Sequence, residues 1–156
     1  MAEEIERKFL VTADSWRPLA TGQAYCQGYI ATARSGQSVR VRIAGDQGYL
    51  TIKGPTRGLT RAEFEYSIPV ADARAMLLTL CERPFIEKTR YRLPIGEVVW
   101  EIDEFAGENA GLIVAEVELR SEDQPLDLPE WIGAEVSGEA RYYNASLVRC
   151  PYSQWS

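Results

Sequence analysis

Glu4, Glu6 and Lys8, in the run EEIERKFLV, are spaced two residues apart. On a strand they share one face, with Ile5 and Phe9 on the other and Arg7 as the exception. Two carboxylates beside an ammonium are groups able to hold a cation and an anion together, and the arrangement recurs. In SVRVRI, Arg40 and Arg42 lie opposite Val39, Val41 and Ile43; in YLTIKG, Lys53 shares a face with Thr51 and Tyr49. RAEFEYSI sets Arg61, Glu63 and Glu65 against Phe64, Tyr66 and Ile68. EKTRYRL groups Lys88, Arg90 and Arg92; VVWEIDEF pairs Glu101 with Asp103, and VAEVEL pairs Glu116 with Glu118. A weaker strand, AYCQGYI, interrupted by Gly28, brings Tyr25, Gln27 and Tyr29 together.

Like charges two residues apart on a strand are only about 7 Å apart. Each such pair repels itself unless opposite charge lies across from it. For any single strand the plain reading is the solvent face of an antiparallel sheet. Recurrence over several strands favours a closed barrel with the charged faces inward and the apolar faces outward beneath covering helices. So many ions are too costly to bury unpaired, so the interior is a binding tunnel and not a core. Paired Arg and Lys suit phosphate oxygens. Carboxylates without His or Cys suit hard divalent ions such as Mg²⁺ or Mn²⁺. A metal-bound polyphosphate satisfies both sets.

The elements that must position these residues are short strands separated by turn signals: Gly36, AGDQG (44–48), GPTRG (54–58) and PIGE (94–97). Two helices are expected. One has Asp72 as N-cap and stops before Pro84; the other spans GEARYYNASLVR with Ser137 as a cap. ADSWRPLA allows a helical turn limited by Pro18; SEDQPLDLPEWIGAEVSG reads as a loop and PYSQWS as a loose tail. The 156 residues suit one domain, residues 1–150, followed by a tail at 151–156, and 46% apolar content is enough for a core.

No apolar run reaches the roughly 20 residues of a membrane span, and the N-terminus is acidic where a secretory signal is basic, so a cytoplasmic chain is expected. Three separated cysteines and no histidine argue against a disulfide framework and a Cys/His zinc site. A net charge of −6 makes duplex nucleic acid a poor partner.

Glu4-Ile5-Glu6-Arg7-Lys8 matches the ExExK signature of the CYTH domain, the triphosphate tunnel metalloenzymes. The resemblance continues in the family's order through QGYI, VRVRI, TIKG, RAEFEYSIP, EKTRYRL, WEIDEF, AEVEL and RYYNASL. It implies an α+β, predominantly β fold: an eight-stranded antiparallel tunnel with flanking helices and a C-terminal helix, binding a triphosphate and divalent metal. Arg40, Arg42, Lys53, Lys88 and Arg90 then become phosphate ligands, joined by Arg61 and by Arg141 of the C-terminal helix. Glu4, Glu6, Asp103, Glu116 and Glu118 hold Mg²⁺ or Mn²⁺, two ions in all. Lys8 and Tyr29 resemble the lysine–tyrosine pair of small bacterial members that favour inorganic triphosphate, although Tyr29 also reads as an aromatic filling space near Gly28. Small relatives are often homodimers.

The expected reaction is hydrolysis of inorganic triphosphate to diphosphate and phosphate. Without histidine, the base must be a carboxylate or water acidified by metal, with Glu63 or Glu65 orienting that water. Alternatives are thiamine triphosphate, with Trp16 or Trp131 stacking on its rings; ATP, hydrolysed or cyclised as in class IV adenylyl cyclases; a non-catalytic polyphosphate-binding module; and a structural domain. The tryptophans are otherwise core or interface anchors.

Overall fold

The two-residue alternation becomes nine strands in the computed structural model, which describes residues 3–155. The strands are β1 (Glu3–Val11), β2 (Thr21–Thr32), β3 (Ser38–Ala44), β4 (Gln47–Lys53) and β5 (Thr60–Ile68), then β6 (Ile86–Ile95), β7 (Val98–Phe105), β8 (Ile113–Glu118) and β9 (Ile132–Glu135). Two helices accompany them, α1 (Val70–Thr79) and α2 (Asn144–Arg149). Strand order is β5-β4-β3-β2-β6-β7-β8-β1-β9, every pairing antiparallel, and β1 also pairs with β5. That last pairing closes an eight-stranded barrel, with β9 as an addition.

One edge of β1 bonds to β8 over Glu6–Leu10. The other is shared, Glu3–Ile5 pairing with β5 and Phe9–Val11 with β9. Four-residue β9 falls inside the stretch expected to be loop. It forms because the far half of β1 has backbone donors and acceptors that β5 does not reach.

Registry puts opposite charges across from each other on the inner face: Lys53 by Glu63, Arg90 by Asp103, Lys8 by Glu116 and Glu4 by Arg61. The apolar partners face outward. Phe9, Trp16, Leu93, Trp100, Ile102, Val117 and Trp131 form one core outside β1 and β6–β8. Its cover is loop, carrying Trp16 and Trp131, and not the helices that were expected. Val41, Ala73 and Leu77 join α1 to the other side. Ile52, Phe64 and Tyr66, on the outside of β4 and β5, remain exposed.

Several local expectations are corrected. Gly28 does not break β2, which runs through it; the missing side chain lets α1 approach, since a Cβ there would meet Cys81 Cβ at 2.9 Å. Helix α1 begins at Val70 after Pro69 and not at an Asp72 cap; Pro69 already accepts the first helical bond through its carbonyl, from Ala73. The C-terminal helix is not continuous. A 3₁₀ turn (Ala140–Tyr142) and α2 are separated by an extended Tyr143. Tyr142 is buried in a cluster with Tyr29, Phe105 and Leu147, whereas Tyr143 faces the interior cavity. Adjacent helical positions, about 100° apart, do not serve such divergent directions.

A 3₁₀ turn forms at Arg17–Leu19, as ADSWRPLA allowed. The tail is not loose: Tyr152–Gln154 makes a 3₁₀ turn and Trp155 packs edge-on against Tyr142 and Tyr152. Met1, Ala2 and Ser156, the last of them the end of the expected tail, lie outside the described residues. Among the described residues no helix is long and apolar enough to cross a membrane.

Candidate functional site

The inward faces of the barrel enclose a cavity of about 760 Å³. Twelve of the fourteen residues expected at the site line it. On β1 these are Glu4, Glu6 and Lys8; on β2 Tyr29; on β3 and β4 Arg40, Arg42 and Lys53. Arg61 comes from β5, Lys88 and Arg90 from β6, Glu116 and Glu118 from β8. Period-two alternation is why one face of each strand supplies them all.

Asp103 and Arg141 do not join them. Asp103 lies on the inner face but is fully buried beneath Lys88 and Arg90, with both carboxylate oxygens engaged: Oδ1 accepts from Arg90 Nε at 2.7 Å, and Oδ2 from Arg90 Nη2 at 2.8 Å and Lys88 Nζ at 2.7 Å. With three donors already on it, this carboxylate is suited to orienting two cations, which disfavours the metal ligation expected of it. Arg141 lies exposed outside, its guanidinium 4.5 Å from the Trp155 ring centroid and 5.1 Å from that of Tyr142. The break at Tyr143 turns it away.

The cations differ in how far the protein neutralises them. Lys53 bridges Glu4 at 2.8 Å and Glu63 at 3.2 Å. Arg90 adds longer pairs with Glu101 and Glu116 to its Asp103 fork. Arg40 reaches Glu65 only at 3.5 Å and Thr51 Oγ1 at 3.2 Å, and among the described residues its buried Nε has no acceptor. Arg42 donates its Nε to Gln27 Oε1 at 2.8 Å, and among the described residues no carboxylate forms an ion pair with it. Burial first, then Arg40 and Arg90, bring Arg42 down to about 9. Burial, opposed by Asp103 and reinforced by Arg90 and Arg42, lowers Lys88 to about 7. Burial is the larger cause of both shifts, and the neighbouring cations add to it; an anion in the cavity would offset that second part.

The acidic side shows the reverse. Glu6 faces Glu118 across β1 and β8, and burial together with Glu116 and Glu4 raises it to about 8. Burial and three carboxylates, Glu4, Glu63 and Glu101, also raise Glu118. Glu116 is held well below the usual range, because Lys8, Arg90 and Lys88 outweigh its desolvation. Two carboxylates short of positive charge are a donor set a hard cation would complete. Among the described residues no three acids are already gathered as a metal site. Such a set fits Mg²⁺ or Mn²⁺, since an ion of the magnesium type takes one or two carboxylates and completes its shell with water and phosphate oxygens.

Lys8 Nζ sits 3.4 Å from Glu116 Oε1 and donates to the Tyr142 carbonyl at 3.3 Å. Burial opposes its charge, but Glu116, Glu6 and Asp103 hold its pKa above the ordinary value. The Tyr29 hydroxyl accepts from Gln27 Nε2 at 3.3 Å. The sequence pattern puts Gln27 and Tyr25 on the face of Tyr29 but gives them no role, and it leaves Asn144 unmarked, because neutral side chains carry no charge pattern. The Tyr25 ring lies 4.8 Å from the Arg42 guanidinium and 5.2 Å from that of Arg90. Trp16 and Trp131 are buried in the outer core, away from the cavity.

The CYTH domain model matches residues 2–152. An inorganic triphosphatase of Acetivibrio thermocellus is 49% identical over 155 residues, covering 99% of each chain. One from Nitrosomonas europaea is 38% identical, covering 93% of this chain and 96% of its own. A crystal structure of an inorganic triphosphatase superposes with a TM-score of 0.67 at 34% identity, over 92% of this chain and 96% of that one. At 14% identity and a TM-score of 0.56, a putative adenylyl cyclase from Hippeastrum shares the fold, over 76% of this chain and 80% of its own. With its closed barrel, its inward charges and these relatives, the chain belongs to the CYTH domain family.

Proposed function

We propose that the chain hydrolyses inorganic triphosphate to diphosphate and phosphate within the barrel. What carries this reading is the incompletely neutralised positive charge of Arg40 and Arg42 in the barrel's cavity: among the described residues Arg40 Nε has no acceptor and its one carboxylate is 3.5 Å away, and no carboxylate pairs with Arg42. The two named relatives act as a supporting comparison.

Arg40, Arg42, Lys53, Arg61, Lys88 and Arg90 bind the phosphate chain; Arg gives forked contacts and Lys point charges. Glu4, Glu6, Glu116 and Glu118 would hold Mg²⁺ or Mn²⁺, as two ions. Bound there, the metal offsets phosphate charge and acidifies a water. Lys8, kept protonated by Glu116, neutralises charge on the leaving diphosphate, and the Tyr29 hydroxyl steadies an adjacent oxygen. Glu63 or Glu65 orients the water. Its oxygen bonds to the terminal phosphorus as the bridging P–O bond breaks, the electron pair leaves on diphosphate, and the proton passes to solvent through a carboxylate. No protein nucleophile is needed, and the preformed cations supply electrostatic stabilisation as charge moves.

Phosphate and cyclic AMP release from tripolyphosphate, ATP and thiamine triphosphate, with Mg²⁺, with Mn²⁺ and with chelator, tests the reading. Fast hydrolysis of tripolyphosphate alone, abolished by chelator, supports it; turnover that survives chelation, or preference for a nucleotide, defeats it. The burial of Trp16 and Trp131 disfavours thiamine triphosphate, because neither ring is available to stack. The resemblance to small CYTH members extends the proposal to a cytoplasmic chain, for which a homodimer is the assembly to test. Light scattering that gives a monomer mass at micromolar concentration would remove the dimer.

A further inference from the structure

Two neutral side chains link the cations of the cavity. Gln27 on β2 is fully buried; its Oε1 accepts from Arg42 Nε at 2.8 Å and its Nε2 donates to Asn144 Oδ1 at 3.1 Å. Asn144, the first residue of α2, uses the same Oδ1 to accept from Lys88 Nζ at 2.8 Å. Arg and Lys have donors only, so each must meet an amide carbonyl, and that requirement fixes the sense of the chain from Arg42 to Lys88. Lys88 then continues to Asp103, and Asp103 to Arg90.

A carboxylate in place of either amide would hold its cation as firmly but would cancel its charge. An amide oxygen orients the cation and leaves the charge for a ligand. Arg90, forked onto Asp103, shows the other solution in the same wall. We propose that Gln27 and Asn144 are positioning residues of the phosphate site, a neutral amide relay that aims Arg42 into the cavity without discharging it, adds no negative charge to the Lys88 that Asp103 already pairs, and couples the placement of both cations to the seating of α2. The inference rests on the phosphate-binding reading above and adds two residues to it.

Asn144→Asp decides first. It keeps the oxygen that accepts from Lys88 and Gln27 and adds one negative charge. Calorimetric binding of inorganic tripolyphosphate is expected to weaken about tenfold or more, with KM raised in proportion and the thermal midpoint unchanged or higher. Affinity within about twofold of the unaltered protein overturns the proposal. A double-mutant cycle separates relay from general charge: with Arg42→Ala in place, adding Gln27→Ala should cost almost no further affinity, whereas additive losses show that Gln27 does not act through Arg42. Should Gln27→Ala fail to fold, the same cycle is run with Asn144→Ala and Lys88→Met, where additive losses overturn the relay. If the unaltered protein binds tripolyphosphate normally and these variants do too, only the relay fails. If the unaltered protein binds none, the functional reading fails with it.

Discussion

Asp103 shows what a charged residue is worth when its partners are buried with it. Removing one member of a buried ion group leaves the others uncompensated, so Asp103→Ala should cost about 3–5 kcal/mol in urea unfolding. Tripolyphosphate, which supplies the missing negative charge to Lys88 and Arg90, should stabilise this variant by more than it stabilises the unaltered protein; an equal gain would show that Asp103 does not act through those cations. Glu6 gives a pH dependence. Its pKa of about 8 means that the metal-free side chain is mostly protonated below that pH, and an ion must displace the proton. Apparent Mg²⁺ affinity should therefore rise with pH through about 8 and level off above, with proton release measurable by calorimetry in buffers of different ionisation enthalpy. Glu6→Gln should flatten that profile. Arg141→Ala should leave turnover of tripolyphosphate within about twofold, because its guanidinium lies on Trp155 outside the barrel.

At the scale of elements, β2 and α1 depend on a residue that does nothing chemical. Gly28 faces outward between Gln27 and Tyr29, and a Cβ there would lie 2.9 Å from Cys81 Cβ and 3.0 Å from Leu77 Cδ2. Gly28→Ala forces α1 outward and should cost about 1–3 kcal/mol, read as a lower urea midpoint at unchanged slope. Since Gln27 and Tyr29 flank it on the cavity side, tripolyphosphate affinity should fall as well. A neutral outcome in both measurements would show that α1 yields without moving β2. Helix α2 is tied differently: Asn144 points to the cavity while Leu147 and Val148 are buried in the apolar cluster that holds Tyr29 and Phe105.

For the whole molecule, the net charge of −6 says little about the cavity, where the cations of β3 and β6 cluster apart from the carboxylates of β1 and β8. Arg42, next to Arg40 and Arg90, is destabilised by both, and an anion bound among them would relieve that repulsion. A ligand bound only by the folded state, present at about 100 times its Kd, stabilises by about 2.7 kcal/mol. Tripolyphosphate should accordingly raise the thermal midpoint, and the increase should shrink as added salt shortens the screening length. Absence of any shift at low ionic strength would mean that the cations do not share one ligand.

The sequence by itself determined which face of each strand is charged, since side chains alternate strictly, and so it determined twelve of the cavity's residues. It determined closure less directly, through the need of paired like charges for partners across the barrel. Only the tertiary structure decided the fate of Asp103 and Arg141, of the same types as their neighbours but kept from the cavity, one covered by Lys88 and Arg90 and the other turned away at the break at Tyr143. Only it revealed β9, the part played by Gln27, and Asn144. Four residues of strand carry too little pattern to stand out, and an uncharged amide acquires its role from what faces it, a fact set by contacts between segments distant in the chain.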